Sequence, residues 1–399
     1  MLSASSLGKI LAVVALFGTL SGVVSLCVAE QGLDHEEGSS IEAEFVFDNE
    51  FFVGLQDDER DRTTWSSEIE VQLGIDFEAL FDWPGWDASL VAKANRGDAL
   101  AASSGETLAF SGAADDKGEV VEEIWLQKRF SDDRIGVLVG RYAAENEFDV
   151  RETADVFVNG GFEEGPELAE TGEDGGAVVP LPGLGARLSL AVADGLDFRV
   201  AVVEGKTEAV DPDSPADEGH FYIAELDWSP FALSDARLGL GAWRHTGDFQ
   251  RLEADAESPF ESGVTGYYAF AEGSLYASAA NPDLVVSAFA RVGFTDDQVA
   301  AIDSHQSVGL VVAGLVPGRA DDRLGLGVTS ITNSAVYRRL SEIEGDPISA
   351  RETAVELTYL VQATDWLIVQ PTLQCAINRD GDPEQDRACA AGLGLTLEF

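Results

Sequence analysis

Apolar and polar residues alternate one by one through most of this chain. In Trp65–Phe77, the residues Trp65, Ser67, Ile69, Val71, Leu73, Ile75 and Phe77 share one face, while Ser66, Glu68, Glu70, Gln72, Gly74 and Asp76 share the other. A period of two is the mark of a β-strand with one greasy and one wet side. The same pattern runs through 353–362, where Val355, Leu357, Tyr359 and Val361 oppose Glu356, Thr358 and Gln362. It returns at the C-terminus, where Cys389, Ala391, Leu393, Leu395, Leu397 and Phe399 alternate with small or polar residues. Extended along the chain, the pattern predicts sixteen strands. They fall near 41–53, 65–77, 88–95, 121–130, 134–142, 184–192, 197–204, 220–228, 236–246, 264–276, 284–294, 306–316, 323–333, 353–363, 366–377 and 388–399. Most have the ~9–11 residues that a tilted membrane-crossing strand needs.

The period alone fits either a membrane barrel or a soluble β protein, and loop lengths separate the two. Connections after even-numbered strands are mostly short, as at 131–133, 193–196, 229–235, 317–322 and 364–365. Connections after odd-numbered strands are mostly longer, as at 96–120, 143–183, 205–219, 247–263 and 334–352. Such sorting is expected of an up-and-down barrel whose two rims lie in different compartments. The fold class expected is therefore all-β, a sixteen-stranded antiparallel transmembrane barrel. Both termini and the short turns would be periplasmic, and the long loops extracellular. Strand parity then turns Glu225, Asp227, Glu272, Arg291 and Glu356 into the lumen. It leaves Lys128 outside near a strand end, where its stem can reach polar surroundings. Arg141 has no firm assignment by parity.

Residues 1–29 read as a signal peptide. Lys9 precedes the apolar run Ile10–Leu26, and Cys27-Val28-Ala29 places small residues before a cleavage point. Residues 30–40 then form a short periplasmic lead into a barrel domain over 41–399. Cleavage removes Cys27 and leaves Cys375 and Cys389, which face each other across the last hairpin and point outward by parity. An oxidising compartment favours a disulfide between them.

Charge adds a further constraint. The 399 residues carry 72 Asp and Glu against 25 Lys and Arg, a formal charge of −47. Only five lysines occur, at Lys9, Lys93, Lys117, Lys128 and Lys206. Nucleic acid is excluded as a partner, because phosphate binding requires a basic face. The 45% hydrophobic content excludes a disordered acidic tail. The four histidines lie in no nucleophile motif, so no enzyme activity, cofactor or metal centre is expected. The acidic run Asp380-Gly381-Asp382 with Glu384 and Asp386 lacks the spacing of a calcium loop and reads as an extracellular turn.

Several ordered segments resemble the carbohydrate-selective porin family of the OprB type. The first is Glu123-Ile124-Trp125-Leu126-Gln127, followed by Ser131-Asp132-Asp133-Arg134. Next comes Gly140-Arg141-Tyr142-Ala143-Ala144-Glu145-Asn146-Glu147-Phe148-Asp149-Val150, with Glu152-Thr153-Ala154, Phe157 and Asn159 after it. Gly165-Pro166-Glu167-Leu168 leads to Leu184-Gly185-Ala186-Arg187-Leu188. Gly314–Arg319, Asp321–Gly327, Glu352–Tyr359 and Gln370–Gln374 complete the series over about residues 41–399.

The resemblance implies an outer-membrane pore for passive diffusion of monosaccharides and other small carbohydrates, narrowed by an inward-folded loop. Segment 143–183 is the longest connection and carries the strongest motif, so it takes the constriction role. It holds eleven acidic residues and one base, Arg151. The acids around Glu167–Asp174 exceed the family pattern and point to a cation bias.

Sugar hydroxyls need charged or amide partners, and sugar C–H faces need an aromatic platform. The candidate substrate-binding residues are Glu123, Trp125, Gln127, Glu147, Asp149, Arg151 and Asn159. Against this stands a bland reading of the same motif, in which it only locks the loop to the wall. Three functions stay open at this point: a sugar-preferring porin, a general cation-leaning porin, and a surface adhesin or structural barrel. Expected partners are permeant sugars and ions, outer-membrane lipid and lipopolysaccharide, and assembly machinery reading Phe399. Porins of this size often form trimers.

Overall fold

The computed structural model describes residues 40–55, 63–98, 108, 118–169, 182–205, 219–230, 235–253, 260–296, 299–345, 347–378 and 387–399. The expected signal peptide and the acidic 380–386 turn lie outside these residues.

Sixteen antiparallel strands close into one barrel, each bonded to its neighbours in sequence and the last to the first. In order they are β1 (Ile41–Gly54), β2 (Thr63–Asp76), β3 (Trp86–Asp98), β4 (Gly118–Phe130), β5 (Ile135–Tyr142), β6 (Gly183–Ala193), β7 (Leu196–Glu204) and β8 (His220–Trp228). The second half comprises β9 (Arg237–Gln250), β10 (Phe260–Ala277), β11 (Val285–Thr295), β12 (Ile302–Ala313), β13 (Arg323–Asn333), β14 (Arg351–Thr364), β15 (Leu367–Ile377) and β16 (Arg387–Glu398). The count and order match the alternation read from the sequence. Closure leaves no unpaired edge, which is what a strand-built membrane span requires. At the seam, Phe399 N donates to Phe45 O (2.9 Å) and Phe45 N donates to Phe399 O (3.1 Å).

Parity also holds. Leu357 on β14 is exposed on the outer face while its neighbour Glu356 is fully buried inside. Glu225, Asp227, Glu272 and Arg291 are likewise buried on the inner side. Lys128 bonds the Pro84 carbonyl and lies 5.5 Å over both the Trp86 and Phe130 rings, so its charge sits in an aromatic collar at the turn-side rim. Arg141 is fixed by its Nε, which donates to the Val121 carbonyl across the strand pair (2.7 Å). Cys375 and Cys389 are register partners on β15 and β16 and are disulfide-bonded.

Two details depart from the sequence reading. β12 begins at Ile302 rather than 306 and ends at Ala313, because Gly314 takes φ +61 against the Asp283 carbonyl and turns the chain. Leu315 and Val316, read as strand, are exposed turn residues. Besides the β5–β6 connection, which carries the short helix Pro166–Ala169, two described connections contain helix. Helix α1 (Phe77–Phe81), capped by the Asp76 carboxylate, fills the turn after β2, and a second helix, Ala335–Glu344, capped by the Ser334 hydroxyl, lies between β13 and β14. The alternation carried no signal for either, because a capping side chain rather than a period defines them.

Candidate functional site

The connection between β5 and β6 is described over 143–169 and carries the densest set of long-range bonds. Its backbone N–H groups donate to carboxylates that point inward from the wall. Ala143 N donates to Glu123 Oε1 on β4 (3.0 Å), and Asp149 N to Glu225 Oε2 on β8 (2.8 Å). Thr153 N donates to Glu272 Oε2 on β10 (2.7 Å). Val158 N and Asn159 N both donate to Glu356 on β14 (3.0 and 2.9 Å). Partners on β4, β8, β10 and β14 span more than half of the circumference, so this segment crosses the inside of the barrel. A carboxylate suits the task, since it accepts two N–H bonds at once and makes the stronger, charge-assisted kind.

Side chains add a second set of ties. Arg291 on β11 holds Asp149 Oδ2 (2.7 Å) and Glu167 Oε1 (2.6 Å), with all three side chains fully buried. Arg151 pairs with Asp149 (2.6 Å) and donates to the Phe162 carbonyl (2.9 Å). Burial pushes the Arg151 guanidinium down from its usual value, and Asp149 opposes that. Gly165 sits against Arg291, where an added Cβ would lie 2.2 Å from Nη2. That contact gives a physical reason for glycine in the Gly165-Pro166-Glu167-Leu168 motif. Phe157, Phe162 and Phe289 pack as a triad with ring centroids 4.4–6.1 Å apart.

The packed loop leaves a cavity of about 1130 Å³ on the other side, between it and the wall of β1–β4. From the wall come Asp48, Glu50, Glu68, Lys93, Asn95, Glu119 and Glu122; from the loop come Glu145, Asn146, Asp155, Glu163 and Glu164. The two halves of the wall differ in charge balance. On the far side Arg199 holds Glu225 (2.5 Å), and Arg237 holds Asp227 (2.9 Å) and Glu272 (3.1 Å). Along the cavity, the wall carboxylates face one ammonium among the described residues, Lys93. Burial inside the barrel raises the Glu145 carboxyl to about 8 and that of Asp155 to about 6. Glu163 and Glu164 are both raised by the same enclosure, with the charge of Glu164 adding to the rise at Glu163.

The seven candidate residues do not form one site. Glu123 accepts from the Trp125 indole N–H (3.0 Å) as well as from the loop, so these two are joined. Gln127 donates to Asp87 (2.9 Å) lower on the wall. Glu147 is bonded to Arg187 (2.9 Å) and to the Tyr142 hydroxyl. Asp149 and Arg151 border the cavity, but their charged ends turn into the loop. Asn159 is fully buried, with its Nδ2 donating to Gln374 (3.0 Å). Five of the seven, Glu123, Glu147, Asp149, Arg151 and Asn159, therefore have polar groups engaged in holding the loop, Glu147 while still half-buried at the lumen. Sequence reading missed Lys93, Glu122 and the β1 and β2 carboxylates as lining. The alternation had already put Glu68 and Glu70 on the wet face of β2. Glu122 was hidden by a β-bulge: Val91 pairs Glu123 and Ala92 pairs Val121, which turns both Glu122 and Glu123 inward.

Comparisons with known proteins agree with this architecture. The profile of the carbohydrate-selective porin, OprB family matches residues 63–399. Porin B of Pseudomonas aeruginosa is 29% identical over 147 residues, covering 34% of this chain and 32% of that protein. The matched stretch thus spans about a third of that relative. The high-pH structure of Pseudomonas putida OprB superposes with a TM-score of 0.81 at 19% identity, covering 96% of this chain and 97% of that one. An anion-selective porin from Comamonas acidovorans gives 0.55 at 11% identity, covering 90% and 99%.

Proposed function

We propose, for a chain that belongs to the OprB family of carbohydrate-selective porins, that it is an outer-membrane diffusion channel for small sugars with a cation bias. The observation that carries this reading is the cavity between the β1–β4 wall and the inward loop, lined by carboxylates on both sides. Carboxylates accept hydrogen bonds from sugar hydroxyls, and Asn95 and Asn146 add amide donors. Contacts of this kind are numerous but individually weak. A diffusion pore needs that, because a solute held tightly ceases to move. In this reading 143–183 is the constriction loop, and its wall ties keep the passage at a fixed width. Of the residues picked from sequence, Trp125, Gln127 and Glu147 keep partly open side chains that a solute can meet.

The cation bias follows from the uneven charge pairing. Arginines neutralise the acids on the far wall, whereas the passage keeps an excess of carboxylates. A low-dielectric wall concentrates that field along the channel. Planar-bilayer recording tests both parts. Stepwise conductance with glucose-dependent block and a cation-directed reversal potential is expected. Conductance with a reversal potential near zero would remove the bias, and absence of conductance would remove the channel.

A further inference from the structure

Lys93 occupies an unusual place in the passage. Its Nζ lies 3.0 Å from Glu122, 3.3 Å from Glu70 and 3.9 Å from Glu68. The arrangement is built by three adjacent strands. Glu68 and Glu70 share the inner face of β2, Lys93 on β3 is the register partner of Glu70, and the β4 bulge turns Glu122 inward beside them. All four side chains are partly open to the cavity, between 13% and 26% exposed. Among the described residues, the other two basic side chains at the cavity are engaged elsewhere: Arg141 on the Val121 carbonyl, Arg151 on Asp149 and the loop backbone.

The geometry points to Lys93 as the residue that sets how strongly the passage discriminates by charge, acting as a tethered counter-ion for Glu68, Glu70 and Glu122. This rests on the channel reading above. An ammonium anchored by its own strand cannot be exchanged for a mobile ion. It holds local cation density below what three uncompensated carboxylates would gather, and it keeps a positive group in the path for anionic solutes. Without it, potassium would accumulate against the wall and chloride would be repelled more strongly.

The test uses the full-length channel in planar bilayers under a potassium chloride gradient. Lys93→Met keeps most of the aliphatic stem and removes the charge. It is expected to raise the potassium-to-chloride permeability ratio by roughly twofold or more, the scale of one unit charge about 10 Å from a permeating ion in water. Lys93→Arg is expected to restore the wild-type ratio. Lys93→Cys supplies a second route, since the cysteines at 375 and 389 are already bonded to each other. Reaction of that variant with 2-aminoethyl methanethiosulfonate replaces the ammonium within one open channel and should shift the reversal potential back during the recording. A Lys93→Met ratio equal to wild type, or a Lys93→Cys channel whose selectivity does not move on modification, would overturn the inference. Its failure is distinct from that of the cation-bias reading. A wild-type channel without cation preference defeats that reading, yet a shift towards cations in Lys93→Met would still uphold the role of Lys93.

Discussion

The Arg291 guanidinium meets Asp149 at 2.7 Å inside the barrel, with both side chains fully buried. Arg291 comes from β11 and Asp149 from the loop, 142 residues away in sequence. The same guanidinium also takes up Glu167, near the far end of the described loop, so one wall residue gathers both limbs of the segment. Replacing Arg291 by Met would leave the buried Glu167 carboxylate without its arginine and Asp149 with Arg151 alone, and breaking a buried pair in this way costs about 3–5 kcal/mol. We expect Arg291→Met to lower the thermal unfolding temperature in detergent and to give noisy, larger single-channel currents. Unchanged current noise would show that the remaining ties hold the loop without it.

Glu356 tests the backbone ties separately from the ion pairs. It accepts from Val158 N, Asn159 N and the Thr372 hydroxyl (3.0, 2.9 and 3.1 Å). Glu356→Ala orphans buried donors, each at about 1–3 kcal/mol. The expected outcome is raised conductance, because the tip of the loop gains freedom at the wall. Thr358, also on the inner face of β14, bonds Gln370 rather than the loop backbone (2.9 Å). Thr358→Val is expected to change conductance far less, and equal effects of the two substitutions would count against the role given to Glu356.

The barrel was legible because alternation is a property of neighbouring residues. Trp65–Phe77 shows its two faces without any knowledge of its partners. Loop lengths then pointed to a barrel rather than a sandwich, and the facing cysteines 375 and 389 gave a contact that the structure contains. The site was less legible, because burial inside a lumen depends on where a loop lands. Asp149, Arg151 and Asn159 have the right chemistry for sugar hydroxyls, but packing assigns them to Arg291, the loop carbonyls and Gln374. Glu122 was hidden for a different reason. One extra residue in β4 flips its side, and a single parity carried through the strand from Glu123 and Trp125 passes over the phase break at the doubled Glu122-Glu123.

Cys375 and Cys389 close a hairpin with a sequence separation of 14. The β15–β16 ladder already holds these two positions together, so the cross-link adds less than the ~3 kcal/mol expected for an otherwise free loop of this size. We expect a modestly lower unfolding temperature under reducing conditions and unchanged conductance, since both sulfurs lie on the outer face. Labelling of the unreduced, denatured mature protein with a thiol reagent should find no free cysteine at either position. Two labelled thiols would contradict the pairing.

The raised loop carboxyls give the channel a pH dependence of defined sign. Glu145, held up to about 8 by burial, is largely neutral at pH 6 and largely ionised at pH 9. Asp155, at about 6, ionises through the lower part of the same window. Glu163 and Glu164 are also raised by enclosure, so their shared charge grows in the same direction. Raising the pH therefore adds negative charge to the loop side of the passage, opposite the β1–β4 acids. One such charge about 10 Å from a permeating ion contributes about 0.4 kcal/mol in water, roughly a twofold change in local cation density. Cation selectivity should climb from pH 6 to pH 9, and reversal potentials recorded at fixed salt would show it. Glu145→Gln should reduce the rise between pH 7 and 9, the remainder coming from Glu163 and Glu164, while leaving selectivity at pH 6 near wild type. A wild-type ratio that is constant, or falls, across that window would be incompatible with these carboxyls lining the ion path.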